Sequence, residues 1–167
     1  MSITDFIQGK QKLRILILGA YKPSKALKRL EKLRDCLIKK GFESAKLARD
    51  FPDDKQYSED LDEHYTKKSR DLIANWAHVP IFIFFQKADN QGVATEIAYT
   101  CDMLQDKQSS CTAFFEGKLE DFSSQVKGSI KITKRVSYET FADDEELCNL
   151  AVGHSLKILD ILFYYLS

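Results

Sequence analysis

The sequence predicts a three-layer α/β fold, with a doubly wound, mainly parallel sheet of five strands and helices on both faces. Short apolar runs alternate with longer segments whose apolar residues recur at helical spacing, the pattern of strand–helix–strand units. The strongest run, "VPIFIFF" from Val79, is apolar throughout, so both its faces are covered and it is central. A third observation is the turn chemistry: glycine closes both the first apolar run, at Gly19, and the first helical segment, at Gly41.

The elements follow in order. "KLRILILG", residues 12–19, reads as a buried strand after an N-terminal extension of about 11 residues. A helix is expected from about Ser24 to Lys40, with Ala26, Leu27, Leu30, Leu33, Leu37 and Ile38 on one side. "ESAKLARD" reads as a second strand and "FPDDKQYS" as an exposed loop. A helix from about Asp60 to Ala77 has acids at its start, where its dipole is positive. The central strand leads into a helix containing Glu96. The strand "CTAFFE", a short helix over 119–127 and a weaker strand within 130–140 come next. "ADDEEL" opens the last helix, about 143–167, where Asp143 with Glu146 resembles a capping box. No repeat or linker interrupts the pattern, so residues 1–167 read as one domain in flavodoxin- or Rossmann-like order. Such sheets bind ligands outside the carboxyl ends of their strands. That rule points to the loops after Leu18, Asp50 and Phe85.

Composition excludes several classes. The 25 Lys and Arg balance the 25 Asp and Glu, so no overall basic field points to nucleic acid. The cationic run from Lys22 to Lys40 suits the wet face of a helix. The N-terminus lacks the apolar stretch of a signal peptide, and "ILDILFYYL" is too short to span a bilayer. Cys36, Cys101, Cys111 and Cys148 show no metal spacing and read as reduced core residues of a cytoplasmic protein. His64, His78 and His154 lack zinc spacing, so neither a metal nor a cofactor is expected. Ser109 and Ser110 lack a nucleophile-elbow context. The last helix carries two apolar stripes. One includes Leu147, Ala151 and Ile158; the other includes Leu156, Leu159 and Phe163. Either both are internal, or one meets a second copy in a homo-oligomer.

The stretch "ADNQGVATEIAY" holds the main chemical candidate. Val93, Ile97, Cys101 and Leu104 form the stripe that packs on the sheet, and Glu96 lies at its boundary. Glu96 is then either an acid near a helix N-terminus or a carboxylate aimed over the sheet edge. In the first loop, "GAYKPSKA", Pro23 biases Lys22 away from helical geometry and Ser24 is a natural N-cap. Free amides there, with Lys22 nearby, suit a phosphate; an ordinary capped helix is the alternative.

Gly92, Ala94, Glu96, Ile97 and Tyr99 fall where the nucleoside 2-deoxyribosyltransferase family has Asp-x-Gly-[Thr/Ser]-Ala-x-Glu-[Ile/Leu]-Gly-Tyr-Ala. "DLIANWAHVPIFIFF" resembles the helix end and central strand of that family, with Asp71 on its aspartate, and "LILGAY" resembles its first strand, with Tyr21 as the aromatic. The likeness spans about residues 13–115. It departs at Asn90, where the family often has an aspartate (Asp89 precedes it), and at Val93 and Ala98. Nucleotide N-glycosidases and NAD-cleaving domains of the TIR class share the reliance on one glutamate. The resemblance implies cleavage or transfer of an N-glycosidic bond on a nucleoside, nucleotide or NAD-like ligand. It implies Glu96 as nucleophile, Asp71 holding the base or a proton, and Tyr21 orienting Glu96 or stacking on the ligand. Gly19, Lys22, Ser24, Asp89, Asn90 and Gly92 are the expected ligand-binding residues. A non-catalytic nucleotide-sensing or oligomerising module is the alternative. Asp71 also has a plainer reading, pairing with Lys67 or Lys68, and Tyr21 another, as a wedge between strand and helix.

Overall fold

The computed structural model describes residues 2–132 and 136–166. Its five strands are β1 (Ile15–Gly19), β2 (Lys46–Leu47), β3 (Val79–Phe84), β4 (Thr112–Glu116) and β5 (Ser137–Phe141). They lie in the order β2-β1-β3-β4-β5, every neighbouring pair parallel. The helices are α1 (Ile3–Lys12), α2 (Ser24–Lys39), α3 (Leu61–Asp71), α4 (Gln91–Met103), α5 (Ser124–Ile132) and α6 (Asp144–Leu166).

Strand alternation divides the core. Ile15 and Ile17 of β1, with Val79, Ile81 and Ile83 of β3, pack against Leu30 and Leu37 of α2 and Leu147 and Ala151 of α6. Leu16 and Leu18, with Phe82 and Phe84, face Ile73, Val93, Ile97 and Val126 on the other side. Right-handed crossovers require this arrangement. The chain moves from β1 to β2 in one direction and from β2 through β5 in the other, so α2 and α3 fall on opposite faces. The reversal between β1 and β3 leaves a crevice at their carboxyl ends.

Several elements differ from the sequence expectation. The second strand is two residues long rather than eight. Asp50 turns back so that its Oδ2 accepts the Leu47 amide at 2.8 Å, and Ala48–Asp50 closes as a 3-10 turn. The N-terminal extension is helical: Ser2 and Asp5 form a reciprocal capping box, and Phe6 packs on the core below α6. Ser24 is the first residue of α2 rather than its cap. Pro23 precedes it, and no side chain caps that end. Gly41 ends α2 as expected, at φ 95°, with the Phe42 amide reaching the Leu37 carbonyl.

Cys36 and Cys148 are not reduced thiols. They form a disulfide between α2 and α6, with Cα atoms 6.4 Å apart and a sequence separation of 112. The two helices share one face of the sheet, a proximity that spacing along the chain does not reveal. Cys101 and Cys111 are buried on the opposite face.

Asp143 caps α6 as its sequence suggests. Its Oδ1 accepts the Glu146 amide at 2.8 Å, while the Glu146 carboxylate accepts the Ala142 amide at 2.7 Å. Asp143→Ala is therefore expected to cost about 1 kcal/mol of stability, read as a lower urea midpoint with an unchanged slope. Along α6, Leu147, Ala151, Ile158 and Leu159 are buried, and Ile161 is 41% exposed. At Gly9 of α1 an added Cβ would collide with the Phe163 ring and crowd Leu159, so α1 covers part of the second stripe. Among the described residues no helix is long and apolar enough to cross a membrane.

Candidate active site

The crevice between β1 and β3 opens into a cavity of about 690 Å³, within the range of small-molecule sites. Gly19 to Lys22 line it from the loop after β1, Ala48 and Arg49 from the turn after β2, and Asp89 from the loop after β3. The first turns of α4 add Gly92, Val93 and Glu96, and α3 closes the remaining wall with Tyr65, Thr66, Lys68 and Ser69. Gly19 is small because of packing: a Cβ there would stand 2.8 Å from Leu30 Cδ2 and 3.3 Å from the Ile83 carbonyl. Gly92 is different. A Cβ there would meet nothing within 4 Å, so no packing contact calls for glycine in this first turn of α4.

Glu96 is half-buried, and among the described residues no cation lies within salt-bridge distance of it. Burial raises its carboxyl to about 7, against the smaller opposing pulls of the Ser69 hydroxyl and the Arg70 charge. The group therefore changes charge near neutrality, as a catalytic carboxylate can. Tyr21 stands beside it. Its hydroxyl accepts the Arg49 amide at 3.3 Å, and burial foremost, with the nearby Glu96 and Asp50 charges, pushes it up to about 12. Tyr21 stays a neutral phenol over the working range, and no described residue accepts its proton.

Asp71 does not reach the cavity. Its carboxylate accepts Tyr57 Oη at 2.5 Å and Asn75 Nδ2 at 2.7 Å, with Lys55 at 3.8 Å. The Tyr57 hydrogen bond, foremost, holds it below the usual carboxylate range. The phase of α3 explains this. His64, Lys68, Ser69, Leu72 and Ile73 turn inward, while Asp71 follows Glu63 and Lys67 along another face. Neither of its plainer partners, Lys67 or Lys68, is taken: Lys67 pairs with Glu63 and Lys68 with Asp53.

Ser24 also lies outside the cavity lining. Asn90 donates its amide to the Phe85 carbonyl at 2.9 Å and faces a smaller neighbouring depression. Lys22 and Asp89 do line the cavity, and the Asp89 amide donates to the Lys22 carbonyl at 3.0 Å, tying the two loops together.

Arg49, Asp53, Tyr65, Lys68 and Ser69 complete the wall without having been singled out in the sequence. Lys68 is only 5% exposed, and its ammonium donates to the Phe51 carbonyl at 2.8 Å and to Asp53 at 2.7 Å. His64 Nδ1 accepts the Tyr57 amide at 3.2 Å, which leaves the proton of the neutral ring on Nε2, 3.3 Å from Asp53. These contacts pin the loop after β2 to α3. The available signal was the i, i+4 pairing of His64 and Lys68 in the same row as Leu72, which places two polar residues on an inward face. Among the described residues no group of three or more His, Cys, Asp and Glu side chains is set to hold a metal ion.

No protein-family model, curated protein or solved structure matches the chain. The chemistry of the site thus stands on its own geometry.

Proposed function

We propose that the chain cleaves or transfers across the N-glycosidic bond of a nucleoside, nucleotide or NAD-like molecule, with Glu96 as nucleophile. One observation carries the proposal. A half-buried carboxylate without a cationic partner within salt-bridge distance, among the described residues, lines a ligand-sized crevice where the strand order reverses. Breaking such a bond builds positive charge on the anomeric carbon, which a carboxylate beneath it stabilises or captures covalently. Tyr21 supplies a neutral hydroxyl beside that acid, and the likeness of "GVATEIAY" to the nucleoside 2-deoxyribosyltransferase motif supports the same assignment. Chromatographic detection of released base from NAD, AMP and deoxyadenosine, comparing the wild type with Glu96→Gln, is the test. Equal release by both would remove Glu96 from the chemistry.

One observation favours a nucleotide-sensing module of the same fold. Asp71, the second acid the family likeness supplies, is engaged by Tyr57 and Asn75 instead of the cavity. Thermal shifts with these ligands in the absence of base release would establish that reading.

Self-association through α6 is part of the proposal, supported by the exposure of Ile161 and of Ile3 and Ile7 on the neighbouring α1. Light scattering that shows only monomer at high concentration would remove it. A cytoplasmic location belongs to the same proposal, and cell fractionation that recovers the protein only from an oxidising compartment would remove it.

A further inference from the structure

We infer that the Cys36–Cys148 bond is an exchange site for a small acidic thiol, which attaches to Cys36 and releases Cys148. Burial on both sides shields a purely structural disulfide from attack. Here the shielding is one-sided. Cys148 is 5% exposed and belongs to the core, whereas Cys36 is only partly buried. Both cysteines line a depression of about 320 Å³ between α2 and α6, large enough to admit a small molecule to the bond. The same depression carries charges that suit an acidic thiol. Lys32, Cys36 and Lys40 are spaced four apart along α2, so two cationic residues flank Cys36 on one helix face. Lys40 has no ion pair among the described residues. Lys32, its side chain 73% exposed, reaches only Asp144, at 3.6 Å, and Arg29 Nε already donates to that carboxylate at 2.8 Å. Both lysines are thus available to the carboxylates of an incoming molecule.

The exchange is a displacement at sulfur. The incoming thiolate attacks Cys36 Sγ, and a new sulfur–sulfur bond forms as the Cys36–Cys148 bond breaks. The electron pair of the broken bond leaves on Cys148 Sγ, which takes a proton from water. A second thiol then attacks the mixed disulfide and releases the small disulfide and the Cys36 thiol. The protein's own bond is the oxidant, and the thiol is the reductant. Local charge does not choose the sulfur. The helix ends favour negative charge on Cys148, near the start of α6, over Cys36 in the last turn of α2. The lysines beside Cys36, and Glu145 on the α6 side of the depression, pull the other way. Access decides for Cys36. Opening the bond leaves α2 and α6 joined by Arg29 and Asp144.

The test exposes the oxidised, folded chain to reduced glutathione, with acid quenching and peptide mapping by mass spectrometry to assign the sulfur. A single glutathionyl group is expected on Cys36, with little on Cys148. β-Mercaptoethanol, an uncharged thiol, is the comparison, and each rate is divided by that of the same thiol on the urea-unfolded chain. The ratio should be higher for glutathione. Lys32→Glu combined with Lys40→Glu should lower the glutathione ratio by a factor of about ten and leave that of β-mercaptoethanol unchanged. Circular dichroism checks that the double variant keeps its fold; if it does not, the two thiols on the wild type still decide. Adduct mainly on Cys148, or reaction only where urea unfolds the chain, overturns the assignment of Cys36. Equal ratios for the two thiols, or a folded double variant that reacts like the wild type, overturn the acidic-thiol site.

Discussion

Glu96→Gln is expected to abolish base release and, at about pH 8, to make the fold more stable than the wild type. Both effects come from the same buried charge. The folded carboxyl titrates at about 7, against 4.5 for the unfolded group, because burial disfavours its ionised form. Below 4.5 the group is protonated in both states and adds no pH dependence. Between 4.5 and about 7 the unfolded chain releases the proton and the folded chain retains it. Stability is therefore lost as pH rises, until the folded group ionises as well. The accumulated cost is about 3 kcal/mol. The neutral glutamine does not carry it, so urea denaturation should show the two proteins converging at acid pH and separating by about that amount in alkali. On the reaction proposed above, in which Glu96 acts as an ionised nucleophile, turnover should respond in the opposite sense. The wild-type rate should rise through pH 7, and the variant should lose a factor of about 10³ or more. A variant that is inactive yet no more stable at high pH would place the raised titration on another group. One that is more stable yet fully active would leave the site without its nucleophile.

Replacing Cys36 and Cys148 together with serine is expected to lower the free energy of unfolding by about 4–5 kcal/mol. The bond closes a loop of 112 residues, and the stabilisation from restricting the unfolded chain grows with the logarithm of that length. The loop includes β2 to β5, whereas β1, which pairs with β2 and β3, lies outside it. The fold should survive the substitution. Arg29 of α2 still donates to Asp144 at the start of α6, and bonds Glu116 at the end of β4, each at 2.8 Å. The measurement is the guanidinium midpoint of the oxidised protein against the double variant and the reduced wild type. The last two should agree and lie well below the first. Coincident midpoints for all three would show that the bond constrains a chain already compact when unfolded.

Much of the architecture was legible because its signals are local. The unbroken apolar run from Val79 can only be a strand covered on both faces, and the stripe Ala26, Leu30, Leu33 and Leu37 can only be one side of a helix. Asp143 and Glu146 encode their cap within four residues. Signals that compete or act at a distance were less readable. The second strand shortened because Asp50 offered the Leu47 amide an acceptor three residues away. Helix α1 has no buried residue of its own, and its docking depends on α6 at the far end of the chain.

The cavity residues divide along the same line. Glu96, Tyr21, Gly19, Lys22, Asp89 and Gly92 lie on loops and a helix start whose place follows from strand order, and all of them line one cavity. Asp71, Ser24 and Asn90 do not, because their direction depends on helix phase and on partners such as Tyr57 and the Phe85 carbonyl. Arg49, Lys68 and Ser69 entered the site only when α3 packed against α4 and the loop after β2 folded over it.

By itself, the chain's pattern of apolar runs and turns determined a layered parallel sheet and the edge of that sheet where a ligand would sit. Packing between segments distant in sequence decided which acids face that edge and which cysteines meet. The reason is physical: burial periodicity is written every two or four residues, whereas a side chain's partner is fixed only when another segment arrives beside it.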